Sequence, residues 1–316
     1  MMSDTIELCG ELPLSAAGQR LDQALAHRFP DYSRARLQQW IRDQRVQIDG
    51  VVVSRPRDRV MGGERVAIVA PLAAEGSWLP QPLPLTVVAE DAALLVINKP
   101  AGVVVHPANG NPDGTLLNAL LYHYPELAAI PRAGIVHRLD KETSGLLVVA
   151  RTLAAQHALV SQLQARSVSR EYVAVARGHL EGDGSVRANI GRHPVDRKRM
   201  AVVAGGREAI SHYRVVRQFA HHTELRVSLE TGRTHQIRVH MAHIGHPLLG
   251  DPVYGGRPRP LTGISVERQQ RLAQFQRQAL HAGRLALIHP TRGGTCQWQA
   301  PLPEDMVQLL ALLDSD

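Results

Sequence analysis

The sequence predicts an α+β protein in two parts, a small N-terminal module of two helices and a hairpin followed by a larger mixed domain. Three observations carry this expectation. Between residues 19 and 53, apolar residues first recur at helical spacing and then alternate on either side of an Asp-Gly pair. Prolines crowd residues 71–84, and beyond them short apolar segments alternate irregularly with helical stretches. At 316 residues the chain is long enough for one large core and an accessory module.

In the module, Leu21, Ala24, Leu25 and Phe29 share one helical face, Pro30 ends that helix, and Ser33 is placed to cap a second. Leu37, Trp40 and Ile41 form the apolar face of the second helix. Val46-Gln47-Ile48 and Val51-Val52-Val53 flank Asp49-Gly50, the pair that suits a tight turn. Ten arginines against six carboxylates lie between Arg20 and Arg65, a net +4. Arg34, Arg36, Arg42 and Arg45 gather on the second helix and the turn after it, as candidate phosphate contacts that give affinity with little sequence choice. A solvated helical face would carry the same pattern. The strings RLDQALA, SRARLQQWI and VQIDG resemble the α-L RNA-binding module of RNA-modifying enzymes, which sets the first domain at 18–75.

Pro71, Pro80, Pro82 and Pro84 with a single glycine describe a stiff, extended connector, so a Pro-rich linker is expected at 76–84 and the second domain at 85–316. In that domain the apolar segments 94–97, 145–150, 171–176 and 225–229 read as strands, and 115–122 and 154–164 as helices. No repeat period and no low-complexity tract interrupts them.

With 36 Lys+Arg against 29 Asp+Glu the formal charge is +7, which favours a polyanionic partner, and nucleic acid ahead of membrane. Cys9 and Cys296 form neither a C-x-x-C nor a disulfide framework, so thiol chemistry is not indicated and a reducing compartment fits. Neither a signal peptide nor an apolar run of membrane-spanning length is visible, and a soluble cytoplasmic protein without a membrane partner is expected.

The string GIVHRLDKETSGLL at 134–147 places seven polar side chains between an apolar approach and a strand. A polar turn at a strand end is a favourable place for a site, although an aspartate there also serves as an ordinary turn or cap residue. HRLD followed by K-x-T-S-G-L resembles the signature of the RluA-type pseudouridine synthases. Three more strings agree in order: Asn98-Lys99-Pro100 with Gly102 and His106-Pro107, then Arg170-Glu171-Tyr172, then GRTHQIR at 232–238. RHPVDRKRMAV, GDPVYGGRPRP and RQALHA are closest to the RluD type, which acts on a hairpin of large-subunit ribosomal RNA.

The resemblance implies a mixed, mainly antiparallel sheet and an isomerase that breaks the uridine N1–C1′ bond, turns the base, and joins C5 to the same carbon. Nothing is added or removed, so no cofactor and no metal is implied. Glycoside hydrolases commonly use two carboxylates, but here the base is retained and water must be kept out, so one suffices. The resemblance assigns that role to Asp140, as nucleophile at C1′, by addition to C6, or as base toward a sugar proton; the residues leave these routes open. It makes Arg233 the guanidinium that keeps Asp140 ionised, at the start of a helical stretch. Tyr172 lies against the uracil and can assist C5 proton removal, Arg138 fills the space a flipped base leaves, and Ile237 lines the uracil pocket. Lys99 and Lys141 position phosphates or brace loops. The expected partner is ribosomal RNA, within large-subunit particles, met by a monomer.

Two rival readings follow from other features. His235, His240, His243 and His246 suggest a metal centre, but H-E-x-x-H is absent and no cysteine lies near. A non-catalytic ribosome-binding protein would have lost the motif Asp, Arg or Tyr, and all three are present. Arg197-Lys198-Arg199 reads equally as an RNA contact or a solvated loop.

Overall fold

The computed structural model describes residues 5–30, 32, 34–71, 78–108, 110–196, 199–256 and 261–314; Ser33, Arg197, Lys198 and the first two residues of the expected linker lie outside them. The chain divides into two compact units, Met1–Ser77 and Trp78–Asp316.

In the first unit the strands β1 (Thr5–Glu11), β2 (Val46–Ile48), β3 (Val51–Val53) and β4 (Arg65–Pro71) form an antiparallel sheet in the order β1-β4-β2-β3. The β2–β3 turn has Asp49 and Gly50 both at positive φ, the geometry that matches strand twist in a two-residue hairpin. Helices α1 (Leu21–Arg28) and α2 (Arg34–Arg42) bury Leu21, Ala24, Leu25, Leu37, Trp40 and Ile41 against Val46, Val66 and Ile68. Both helices and the hairpin follow the sequence pattern. Strand β1 begins before residue 18 and pairs with β4 over seven residues, from Thr5 with Pro71 to Glu11 with Arg65. Neither strand was read from the sequence: β1 is an edge strand without a clean apolar alternation, whereas β4 does carry an apolar run, Val66 to Ala70.

The second unit is built on a nine-stranded sheet. Its strands are β5 (Val87–Glu90), β6 (Leu94–Lys99), β7 (Ser144–Ala150), β8 (Ser169–Arg177) and β9 (Gly184–Arg187), then, beyond a small separate pair β10 (Ile190–Arg192) and β11 (Met200–Val202), β12 (Ile210–Gln218), β13 (His222–Leu229), β14 (Leu280–Ile288) and β15 (Thr295–Gln299). The order is β5-β6-β7-β14-β8-β13-β12-β9, with β15 on the free side of β14's far end. Every pairing in this sheet is antiparallel except β7 with β14. The expected mixed, mainly antiparallel sheet is therefore what forms.

Period-two alternation explains why the central strands read as unbroken apolar runs. Leu95, Ile97, Leu147 and Val149 face a core closed by α3 (Leu116–His123), whereas Leu94, Val96, Leu146 and Val148 face one closed by α4 (Leu153–Gln164). A strand covered on both faces has no polar side to show. The remaining helices are α5 (Gln236–His243), α6 (Val266–Ala273) and α7 (Glu304–Asp314). Among the described residues, no helix is long and apolar enough to cross a membrane.

The motif loop runs into β7, and its exit depends on Gly145. This residue has φ +115°, and a Cβ on it would lie 2.3 Å from the Ala282 carbonyl oxygen of β14. Only a residue without a side chain lets the two parallel strands close at the foot of the loop. Gly145→Ala is therefore expected to lower stability by roughly 2–5 kcal/mol, from overpacking and backbone strain together. A guanidinium unfolding midpoint equal to that of the parent chain would contradict this account.

Candidate active site

The motif loop, the start of β8 and the segment before α5 enclose a cleft of about 810 Å³, whose lining includes Arg138, Asp140, Tyr172, Arg233, His235, Ile237 and Arg238. Asp140 stands one turn before β7, in a turn closed by the Thr143 amide donating to its carbonyl (3.0 Å). Its side chain is 15% exposed, and Oδ2 accepts a hydrogen bond from Arg238 Nη1 at 3.2 Å. Arg238 in turn holds Asp251 through two contacts, Nε to Oδ2 at 2.7 Å and Nη2 to Oδ1 at 2.9 Å. Asp251 Oδ1 also accepts from the amides of Val253 and Tyr254. Burial works to raise the Asp251 carboxyl, but the hydrogen bonds and charge of Arg238, with those amides, hold it below the usual carboxylate range. The result is a carboxylate–guanidinium–carboxylate chain whose far end is fixed by backbone.

This arrangement corrects the expectation for Arg233. The guanidinium that reaches Asp140 belongs to Arg238; Arg233 lines the same cleft, half-buried, with its Nε donating to the Glu208 carbonyl at 2.9 Å. The reason lies in where α5 begins. His235 takes a left-handed conformation (φ 57°) as its N-cap, so Gln236, Ile237 and Arg238 form the first helical turn and point inward, while Arg233 remains on the loop. Both arginines occur in GRTHQIR, and spacing alone did not separate them. The later Gly250-Asp251-Pro252, whose buried aspartate needs a cation, was the usable signal.

Lys99 also differs from a phosphate contact. It is fully buried, and its ammonium donates to the carbonyls of Pro100, Val103 and Lys141. It therefore braces the Asp140 turn, the second of its two expected roles. Arg277 Nη1 donating to Glu142 O and Gln278 Nε2 donating to Thr143 Oγ1 tie down the other side of that turn. Lys141 has an exposed side chain and is absent from the cleft lining. Arg138 is exposed on the lining, and Ile237 is buried beneath it.

Tyr172 is buried on β8, opposite Val227 and Ala282. Burial, with the Asp140 charge added and Arg170 opposing, raises its phenol, so the ring is protonated at neutral pH. Two histidines of the cleft, His106 and His137, are neutral. Burial, with Arg170 adding to it, pulls His137 down to about 3, and its Nε2 accepts the Val148 amide. His106 falls to about 4 through burial and the charges of Arg132 and Arg138. His235 Nδ1 meets the Tyr254 hydroxyl at 2.8 Å, and its Nε2 stands 3.9 Å from Asp140 Oδ1. His240 and His246 are each held by other partners, Ser211 with the Ala188 carbonyl and the Arg177 carbonyl respectively. Among the described residues no group of three or more His, Cys, Asp or Glu could hold a metal ion.

In the N-terminal unit, buried Asp22 accepts from Arg20, Arg34 and Gln38, so Arg34 doubles as a pin between α1 and α2. Arg36 lies over the Trp40 ring, and Arg42 and Arg45 are exposed.

Residues 93–243 match the family model described as RNA pseudouridylate synthase, and residues 19–66 match the S4 domain. Over 315 residues, all of this chain, 55% are identical to the ribosomal large subunit pseudouridine synthase D of Escherichia coli (strain K12), covering 97% of that protein. The chain belongs to the RNA pseudouridylate synthase family. This synthase is also similar to the protein of the same name from Pseudomonas aeruginosa, with 57% identity over the full chain and 98% of the relative. Among solved structures, human RNA pseudouridylate synthase domain containing 4 superposes with a TM-score of 0.57 at 25% identity, over 72% of this chain and 92% of that one. The corresponding human protein containing 1 gives 0.53 at 26%, over 74% and 96%. The synthase is thus an RNA-modifying isomerase with an S4 RNA-binding domain at its N-terminal end.

Two outcomes follow from the geometry. Arg238→Met is expected to slow single-turnover conversion of RNA by about a hundredfold or more, and Arg233→Met by much less; equal losses would restore Arg233 as the partner of Asp140. The second concerns Lys99, whose ammonium is pulled by burial from 10.5 to about 8, with Glu142 and Asp140 opposing. Between those two values the unfolded chain keeps the proton that the folded chain has lost, so stability rises with pH there. From pH 8 to 10.5 the synthase should gain on the order of 1–3 kcal/mol relative to Lys99→Met. Denaturation series in which both respond alike to pH would sink this reading.

Proposed function

We propose that the synthase isomerises uridines in a stem-loop of large-subunit ribosomal RNA in the cytoplasm, with Asp140 as the essential group. The observation that carries this reading is the carboxylate of HRLD, standing in an arginine-lined cleft with one oxygen held by Arg238 and the other free of any hydrogen bond among the described residues. The choice of RNA is supported by relatives matched over their whole length whose name is ribosomal large subunit pseudouridine synthase D.

Arg238 donates to Asp140 Oδ2 and so orients the carboxylate that any of the three routes requires. The N1–C1′ bond breaks, the base turns without leaving, and C5 bonds to C1′; the C5 proton departs and N1 gains one, so the balance closes without a cofactor. Tyr172 offers a buried ring against which the displaced uracil stacks, and Ile237 an apolar contact. Arg138, exposed on the cleft, is positioned to take the place of the extruded base in the stem. Exposed Arg42 and Arg45 of the S4 domain, with half-buried Arg36, would meet phosphates, where they add affinity and salt dependence. The synthase is proposed to act as a monomer.

Asp140→Asn is expected to abolish tritium release from 5-tritiated uridine in large-subunit RNA while RNA affinity stays within about threefold. Full activity in that variant would overturn the role of Asp140. A parent enzyme that modifies transfer RNA and leaves large-subunit RNA untouched would overturn the substrate.

A further inference from the structure

Arg170 opens β8 two residues before Tyr172, so both side chains lie on the same face of the strand and both line the cleft. Its exposure is 8%, and its buried Nε has no hydrogen-bond partner among the described residues. Leaving a donor of a buried cation unpaired is costly, and such groups are ordinarily satisfied. The loop opposite is shaped around this guanidinium: Gly232 stands where a Cβ would come within 2.8 Å of Arg170 Nη1. The other cations of the cleft are committed or peripheral. Arg238 is spent on Asp140 and Asp251, Arg233 donates to the Glu208 carbonyl, and Arg132, Arg138, Arg166 and Arg207 are exposed.

We propose that Arg170 is a further catalytic residue, donating to a carbonyl oxygen of the extruded uracil and stabilising the negative charge that builds on the base as its bond to the sugar breaks. The inference rests on the function proposed above and names the group that acts on the leaving base, as Asp140 acts on the sugar. When N1–C1′ breaks, its electron pair stays with uracil and spreads from N1 onto O2 and O4. C5 then supplies the pair for the new bond to C1′, loses its proton, and N1 is protonated. A donor aimed at O2 or O4 is therefore used most while the base is anionic, which makes it an accelerator of reaction and only a minor contributor to binding. An exposed arginine on a phosphate would do the reverse.

The test is the full-length enzyme acting on one ribosomal hairpin transcript made with uridine or with 5-fluorouridine, followed under single-turnover, saturating conditions by mass analysis of the digested nucleosides. Fluorine withdraws electrons and stabilises the uracil anion by itself; because its C5 carries no proton to lose, the C-linked 5-fluoro product is read as the hydrate formed when water adds its hydroxyl at C6 and its proton at N1. Arg170→Met is expected to slow uridine conversion about 10²–10³-fold with RNA affinity nearly unchanged, and to slow 5-fluorouridine conversion at least about tenfold less. Arg170→Lys, which keeps the charge, should recover part of the rate with the same substrate bias, and it carries the comparison if the methionine variant does not fold. Equal losses on both RNAs would overturn the proposal, as would unchanged rates or a defect confined to affinity. If the parent enzyme converts neither transcript, the ribosomal reading fails and this role fails with it; if the parent is active and the variants show no bias, only the role of Arg170 fails.

Discussion

The site depends on one buried cation shared by two carboxylates. Arg238 sits between Asp140 and Asp251, and the three side chains are, in that order along the chain of contacts, progressively more deeply enclosed toward Asp251. A lone guanidinium in this position would lose its hydration without return, and a lone Asp251 would be driven toward its neutral form. Together they form a support whose most exposed end is Asp140, with one oxygen held by Arg238. The amides of Val253 and Tyr254 anchor the support, and the left-handed His235 turns the first residues of α5 toward it.

Charge is sorted by depth around that support. Exposed arginines stand where a polyanion can exchange with water and counterions, and buried arginines stand where each must have a defined partner. The histidines of the cleft contribute no positive charge, because burial and neighbouring arginines hold His106 and His137 neutral. A neutral His137 is free to accept the Val148 amide, which fastens the motif loop onto the side of β7. Thus the histidine of HRLD is a splice between loop and strand.

Much of the architecture was legible because it follows from periodicity. Helical spacing marked α1 to α4, and runs of branched apolar residues marked β6, β7, β8 and β13, since strands packed on both faces carry their signal in composition alone. Strand β1 was not legible: it gains its place by pairing with β4, and an edge strand with half-exposed side chains has little pattern to read. The site was legible at Asp140, Tyr172 and Ile237 as members of short motifs that the fold brings to one cleft. It was illegible where function depended on direction. Arg233 and Arg238 differ only in which side of a helix start they occupy, and Lys99 reads as a surface cation until its three carbonyl partners are seen.

The parallel pairing of β7 with β14 has a consequence for biosynthesis. Residues 277 and 278 clasp the Asp140 turn, and Ala282 closes against Gly145, across about 135 positions of chain. Contacts of such separation form late, after the intervening segments have been ordered. While the polypeptide is still emerging from the ribosome, the N-terminal S4 domain has its whole sequence available long before residues 277–282 can lock the turn that carries Asp140.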